Sequence, residues 1–196
     1  MEGIPDGDQA LTTVLLVPGF TGSGPDHWHS HWQRAHPEYA RVEQRDWDHP
    51  ELGEWMVTLD RKISGLGSDV VLVGHSLGCI TIARWAERAT RGVVSGAMLV
   101  APSDVEAETA PPEVRGFAPI PMSLLPFPSL IVSSENDPLV TPARARSFAR
   151  AWGGRFVSIG EAGHISTASG HGPWPEGHVM LEALIASHAR TPRARR

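Results

Sequence analysis

Short aliphatic runs recur along this chain and alternate with stretches of helical periodicity, and this alternation limits the possible folds more than any other feature. Two such runs are TTVLLVP at residues 12–18 and DVVLV at residues 69–73. The others occupy residues 39–44, 95–102, 129–134 and 155–160, the first of them being the weakest. Strands that are apolar on both faces belong to sheets covered by helices on both sides. The pattern therefore predicts a three-layer α/β/α sandwich with a mostly parallel sheet.

The segments between these runs have apolar residues at helical spacing. In residues 49–66, for example, one face carries Leu52, Trp55, Leu59 and Ile63. Further helices are predicted over residues 25–37, 77–89, 144–152 and 176–188. Residues 102–128 are rich in proline and have no clean period, which predicts a long irregular excursion. Its apolar second half could form the rim of a pocket or pack on the flank of the domain.

Length and composition indicate one globular domain. The 196 residues are 41% hydrophobic and 20% charged, and the apolar runs are too short to cross a bilayer. We therefore predict a single domain over residues 1–196, with flexible tails at 1–10 and 190–196, and no membrane partner. The polar, acidic beginning of the chain does not resemble a signal peptide, which predicts a cytoplasmic protein.

Charge and cysteine content narrow the function further. The formal net charge of -5 argues against general affinity for nucleic acid, which requires a basic surface. The chain has one cysteine, Cys79, so no intramolecular disulfide can form. We therefore expect a small-molecule substrate as the partner, and composition leaves the oligomeric state open.

A pentapeptide after the third aliphatic run carries the first sign of chemistry. Gly74-His75-Ser76-Leu77-Gly78 matches G-x-S-x-G, and it lies between a predicted strand and a predicted helix. A serine on such a sharp turn adopts strained backbone angles, and the flanking glycines remove side chains that would clash. The Leu77 N–H at the start of the helix is a candidate donor to an oxyanion. The alternative is a purely structural turn, because the pattern also occurs by chance.

A serine nucleophile requires an imidazole base and a carboxylate that orients it. Asp137 follows the strand predicted at residues 129–134, and His164 follows the last predicted strand. The order Ser76, Asp137, His164 is the one expected for this architecture. Glu135 and Asp104 also follow strands, but Asp137 lies in an Asn-Asp-Pro turn directly before a helix and is favoured as the acid. Asp137 could alternatively only form the turn or cap that helix.

The glycine-rich loop after the first strand is the expected source of a second oxyanion donor. Within residues 17–28, Pro18-Gly19 allows a close approach of the backbone to the serine, and the candidate donor is the N–H of Phe20 or Thr21. We prefer Phe20. The loop lacks both glycine-rich nucleotide-binding patterns, which argues against a bound nucleotide.

Several histidines lie close to these motifs. His27 and His31 could share a helical face with His29 nearby, but no acidic or cysteine motif accompanies them. We therefore expect neither a metal nor another cofactor. His75 is next to the serine and is expected to pack against the pocket or tune it.

Taken together, the motifs resemble a known family. PGFTGSGPDHW followed by a second tryptophan at position 32, VGHSLG, SSENDPLV, GHIS and GPWPEG are similar to the small serine hydrolases related to bacterial YdeN and to retinoblastoma-binding protein 9. The resemblance covers about residues 12 to 185. It implies a minimal α/β-hydrolase fold without a large cap.

The resemblance also implies roles for individual residues. Ser76 would be the nucleophile, Asp137 the acid and His164 the base. His27, Trp28 and Trp174 would lie near the catalytic cleft and, with His75, form the candidate substrate contacts, although both tryptophans could equally be packing residues.

Motifs and resemblance together predict a serine hydrolase that cleaves small acyl esters through a Ser-His-Asp triad and an acyl-enzyme. One alternative is an amidase or aminopeptidase that uses the same triad. The other is a non-catalytic interaction module that has kept the fold.

Overall fold

A six-stranded parallel sheet lies at the centre of the computed structural model, which describes residues 12–67, 69–89 and 92–189. The strands are β1 (Thr13–Val17), β2 (Ala40–Arg41), β3 (Val70–His75), β4 (Val94–Val100), β5 (Ser129–Ser133) and β6 (Arg155–Ser158). Their order across the sheet is β2-β1-β3-β4-β5-β6, and every neighbouring pair is parallel. The tails predicted at residues 1–10 and 190–196 lie outside the described residues.

Helices cover both faces of the sheet because its strands are apolar on both faces. Along β1, Leu15 and Val17 belong to one core cluster, and Val14 and Leu16 belong to the other. The first cluster includes residues of α2 (Leu52–Leu66), α3 (Leu77–Ala86) and α4 (Pro142–Trp152). The second includes residues of α1 (Trp28–Ala35) and α5 (Pro175–Ala189). This arrangement confirms the predicted three-layer α/β/α sandwich.

Element ends differ from the predictions by a few residues, for local reasons. Helix α4 begins two residues earlier than predicted, because the Thr141 side chain accepts a hydrogen bond from Arg144 N–H and Pro142 occupies the first turn. Strand β3 continues two residues further than predicted, because Gly74 and His75 still pair with β4. No helix in the described part of the chain has the length and apolarity needed to cross a membrane.

The proline-rich excursion after β4 contains one short 3₁₀ helix, Pro112–Phe117, and no large cap is built on it within the described residues. Val105 and Phe117 of this excursion are buried in the core. Arg144 of α4 forms ion pairs with Asp104, at 3.2 Å, and with Glu106. The excursion therefore packs on the flank of the sheet and is tied to α4.

All the strands point the same way, so their carboxyl ends lie along one edge of the sheet. The loops that follow β1, β3, β5 and β6 leave from this edge. In open parallel sheets this edge is where ligands bind. Every residue with a predicted catalytic role follows one of these four strands.

Candidate active site

Ser76 occupies the sharp turn between β3 and α3. Its φ angle of 54° is in the left-handed region, which a serine adopts only when its surroundings enforce it. Ser76 N–H donates to Val100 O at 3.0 Å, which ties the turn to β4. A Cβ at Gly78 would collide with Val17 O and lie 2.7 Å from Pro18 O. Only glycine allows β1 and its following loop to pass this close to the first turn of α3.

Three predicted site residues form one chain of hydrogen bonds at the carboxyl edge. His164 Nε2 lies 2.8 Å from Ser76 Oγ, and His164 Nδ1 lies 3.0 and 2.9 Å from the two Asp137 oxygens. The Asp137 side chain is fully buried, and its Oδ1 also accepts from Leu139 N–H at 2.9 Å. A carboxylate can only accept, so the Nδ1 proton faces Asp137 and Nε2 can accept from the Ser76 hydroxyl.

The two competing carboxylates have other partners. Glu135 is exposed and accepts a hydrogen bond from Ser158 Oγ at 3.1 Å. Asp104 is paired with Arg144, as described above. Of the three acids weighed from the sequence, Asp137 is the one in contact with His164.

The loop that carries His164 is bound to the turn that carries Asp137. Gly163 N–H donates to Asn136 Oδ1 at 2.7 Å, and Ala162 N–H donates to Ser134 Oγ at 2.9 Å. Ser134 Oγ in turn donates to Asn136 Oδ1 at 2.9 Å. Sequence reasoning missed both of these supporting side chains. Serine and asparagine readily bond to nearby backbone, but their spacing does not reveal a partner loop 27 or 28 residues away.

The loop after β1 passes directly over the serine turn. A Cβ on Gly19 would lie 2.8 Å from Ser76 Cβ and 3.1 Å from Leu77 N. Thr21 N–H already donates to Trp47 O at 3.0 Å. Within the described part of the chain, the N–H groups of Phe20 and Leu77 donate to no protein acceptor. Two backbone donors that are unused within the described residues therefore lie at the residue after Ser76 and at the residue after Gly19.

A cavity of about 360 Å³ opens beside Ser76. This volume is in the range of small-molecule sites. Phe20, Val105, Val114 and Leu139 are among the residues that line it, so the first half of the excursion after β4 forms part of the wall. Its apolar second half, residues 117–128, contributes no lining residue and packs on the flank instead, with Phe117 and Phe127 buried in the core.

The four candidate substrate contacts fall into two groups. His27 and His75 line the cavity. Trp28 and Trp174 lie outside the lining, in the buried layer between the sheet and α1 and α5, with their ring centroids 5.2 Å apart. Trp28 Nε1–H donates to Ile165 O at 2.9 Å. Both tryptophans thus have the packing role that the sequence left open for them.

The buried imidazoles of His27, His29 and His75 lie close together, and the ring of His75 lies next to that of His164, with centroids 5.0 Å apart. The ring centroids of His27 and His75 are 4.8 Å apart, and those of His27 and His29 are 5.1 Å apart. Burial, then the nearby Arg41 charge and His164, lower the pKa of His27 to about 3. Burial and the neighbouring histidines also lower the pKa of His29 and His75 well below the usual range. These rings are therefore neutral at pH 7.

Although these imidazoles are neighbours, no three His, Cys, Asp or Glu side chains of the described residues are arranged so that they could hold a metal ion. His27 has a different structural role: its Nδ1 accepts from His29 N–H at 3.1 Å and caps α1.

The parallel sheet, with a serine on the turn between its third strand and the following helix, defines an α/β hydrolase. Residues 14–183 match the family of serine hydrolases. The chain therefore belongs to the serine hydrolase family, which confirms the resemblance identified from the motifs. Comparison with curated proteins gave no significant match.

Solved structures agree with this assignment. A YdeN-like hydrolase from Pectobacterium atrosepticum is 35% identical, with a TM-score of 0.82 over 90% of this chain and 92% of that one. The ydeN gene product from B. subtilis is 19% identical, with a TM-score of 0.74 over 90% of this chain and 100% of that one. A thermophilic esterase from Thermogutta terrifontis shares the fold at 20% identity, with a TM-score of 0.62 and 90% coverage of both chains.

Proposed function

We propose that this serine hydrolase cleaves small carboxylic esters through an acyl-enzyme formed on Ser76. The observation that carries the proposal is the continuous hydrogen-bonded chain from Ser76 Oγ to His164, at 2.8 Å, and on to the buried Asp137, at 2.9 Å. This chain lies at a cavity large enough for a small ligand. The esterase named among the solved structures supports the fold, and the substrate class rests on the site itself.

In the first half of the reaction, His164 Nε2 takes the Ser76 hydroxyl proton while Oγ forms a bond to the acyl carbon. The carbonyl oxygen becomes an oxyanion, which the N–H groups of Phe20 and Leu77 stabilise. When this intermediate collapses, the bond from carbon to the alcohol oxygen breaks. His164 returns the proton to the departing alkoxide, and the acyl group remains on Ser76 as an ester.

In the second half, a water molecule replaces the alcohol. His164 Nε2 takes one of its protons while the water oxygen attacks the acyl carbon, and the same two N–H groups receive the oxyanion. The bond between the acyl carbon and Ser76 Oγ then breaks, and His164 returns the proton to Oγ. Asp137 holds Nδ1–H throughout and stabilises the imidazolium that forms in each half.

The cavity lining favours an uncharged acyl group. Among the described residues that line it there is no lysine or arginine, and Asp104, the single carboxylate, is paired with Arg144. Phe20, Val105, Val114 and Leu139 provide apolar surface. An anionic substrate would leave water without a compensating charge here, whereas a neutral alkyl ester would not incur this cost.

Covalent labelling tests whether Ser76 is the nucleophile. A fluorophosphonate probe should label the wild type and fail to label Ser76→Ala, and the variant should lose about 10⁴-fold or more of the ester hydrolysis rate. Ser187→Ala, on α5, is the matched control, and it should be labelled normally. A wild type that is folded by circular dichroism but unlabelled would contradict the proposal and favour the non-catalytic alternative.

Matched leaving groups separate an esterase from an amidase. We expect p-nitrophenyl acetate and butyrate to be hydrolysed at least about 100-fold faster than the corresponding p-nitroanilides, because the amine is the poorer leaving group and His164 is the one residue proposed to protonate it. Equal or faster anilide hydrolysis would assign the same triad to an amidase.

A further inference from the structure

The residue directly after the proposed base has an unusual backbone conformation. Ile165 has a φ angle of 47°, and its side chain is fully buried. For a β-branched residue this left-handed conformation is a steric outlier, and such a conformation persists only when the surroundings enforce it. Gly163, two residues earlier, also has a positive φ, of 57°. His164 therefore lies within a short segment whose backbone conformation the chain would not adopt without support from its surroundings.

Two buried ring N–H groups hold the carbonyls on either side of this outlier. His75 Nε2–H donates to the His164 carbonyl at 2.9 Å, and Trp28 Nε1–H donates to the Ile165 carbonyl, also at 2.9 Å. Trp28 is fully buried, and His75 is 5% exposed. The two donors come from distant parts of the chain, 89 and 137 residues from their acceptors.

The protonation of His75 suits this contact. A carbonyl can only accept, so Nε2 must carry the proton. Burial, followed by the proximity of His164 and His27, lowers the pKa of His75, so the ring stays neutral with its single proton available for this bond. Next to His75 in sequence is Ser76, so the bond links the strained turn of the nucleophile to the strained loop of the base.

We propose that His75 and Trp28 are positioning residues that clamp the two peptide groups around Ile165 and so hold His164 Nε2 within reach of Ser76. This inference rests on the proposed role of His164 as the base. It gives Trp28 a function besides packing, and it gives His75 a function other than direct contact with the substrate. Neither ring needs to touch the substrate, because each acts through the backbone of the loop.

A clamp requires the N–H groups, whereas simple packing requires only the volume of the rings. Trp28→Phe keeps most of the aromatic volume and removes the N–H. His75→Gln keeps a donor near the Nε2 position, and His75→Leu removes it at similar size. Trp32→Phe is a close control: Trp32 lies on the same helix, is 3% exposed, and donates to Pro173 O at 2.9 Å.

Kinetic constants for a p-nitrophenyl ester test the proposal. Trp28→Phe and His75→Leu should each lower kcat about 100-fold with KM within about threefold of wild type, because a misplaced base slows the chemical step more than binding. His75→Gln should recover at least about tenfold of the kcat lost in His75→Leu. Trp32→Phe should keep the wild-type kcat. The clamp is overturned if Trp28→Phe keeps the wild-type kcat, if Trp32→Phe loses as much, or if His75→Gln and His75→Leu are equally slow.

Hydrogen exchange provides a readout that does not depend on turnover. Ile165 N–H donates to Ala162 O at 3.2 Å inside the clamped loop, so its exchange reports whether the loop opens. Trp28→Phe should accelerate this exchange at least about tenfold, and Trp32→Phe should not. If the wild type is neither labelled nor active, the proposed function fails, and the exchange rates still decide the clamp. Unchanged exchange in both Trp28→Phe and His75→Leu would overturn it.

Discussion

The two halves of the site, the nucleophile elbow (residues 74–78) and the base loop (residues 160–166), are held in strained conformations by different means. The elbow is fixed by backbone: Ser76 N–H bonds to β4, and Gly78 fits against Val17 O. The base loop is fixed by side chains from elsewhere, through Asn136, His75 and Trp28. One half is thus supported by its own pentapeptide and the sheet, and the other by residues far apart in sequence.

This difference predicts how each half should respond to substitution. In the elbow, damage should come from adding volume where backbones touch, because the two contacts named for it, Ser76 N–H with β4 and Gly78 with Val17 O, are made by backbone. In the base loop, removing a single donor or acceptor should release a strained segment. Variants that change volume in one half and hydrogen bonding in the other therefore test the comparison.

The largest effect is expected at the carboxylate that orients the base. Asp137→Asn keeps the Oδ1 acceptor for Leu139 N–H, so the turn should fold normally. The amide would place an N–H against His164 Nδ1 and favour the tautomer whose Nε2 is protonated, which cannot accept the Ser76 proton. We expect kcat/KM for a p-nitrophenyl ester to fall about 10⁴-fold with little change in Tm.

Glu135→Gln is the matched control, since it makes the same chemical change two residues away on an exposed side chain. It should keep wild-type kcat/KM. The opposite result, with Glu135→Gln impaired and Asp137→Asn active, would assign the orienting acid to Glu135 and contradict the geometry.

A smaller loss is expected when volume is added beside the elbow. In Gly19→Ala the new Cβ would lie 2.8 Å from both His75 O and Ser76 Cβ, so the loop after β1 must move away. Phe20 N–H would move with it, and losing one oxyanion donor costs about 100-fold to 1000-fold in kcat. Gly65→Ala, where a Cβ meets nothing within 4 Å, controls for the substitution itself. Wild-type kcat in Gly19→Ala would exclude Phe20 as a donor.

Much of the fold could be predicted from the sequence because its signals are local. Each aliphatic run corresponds to a strand, and the apolar face of residues 49–66 packs through Trp55, Leu59 and Ile63 in the core. The elbow could also be predicted, since its glycines and serine lie within five residues. The chain order of acid and base followed from the architecture that these signals indicate.

The support of the base loop could not be predicted in this way. An indole that donates to a carbonyl 137 residues away has the same sequence signature as one that only packs, so the sequence could place Trp28 near the cleft or in the core but could not show this bond. A left-handed Ile165 also contradicts local preference, because a β-branched residue favours extended backbone. Contacts of this kind become visible only when the loops are brought together in space.

The smallest effect is expected on stability when the pH is lowered. It should distinguish the two halves, because they differ in whether a titratable side chain supports them. Of the two halves, the base loop is the one supported by a buried imidazole, that of His75, which packs against His27. The pKa values of His75 and His27 are both lowered in the folded protein. Below about pH 6.5 the unfolded chain therefore binds protons that the folded protein does not bind. Stability should therefore be complete above that pH and decrease as pH falls toward about 3, the pKa of folded His27.

The buried imidazole of His27 should lower the free energy of unfolding by about 2 kcal/mol between pH 7 and pH 5, measurable by urea denaturation, and that of His75 should lower it in the same direction. His75→Gln should therefore reduce the difference in unfolding free energy between the two pH values. His27→Asn should also reduce this difference. The side-chain oxygen of the asparagine can still cap α1 by accepting from His29 N–H, so the helix should be kept. The carboxylates contribute equally to the pH dependence of the variant and of the wild type. The difference between the two proteins therefore reports the contribution of one imidazole at a time. If the unfolding free energy of both variants differs between pH 7 and pH 5 by as much as that of the wild type, these rings gain protons in the folded protein. The support of the base loop would then not be sensitive to acid.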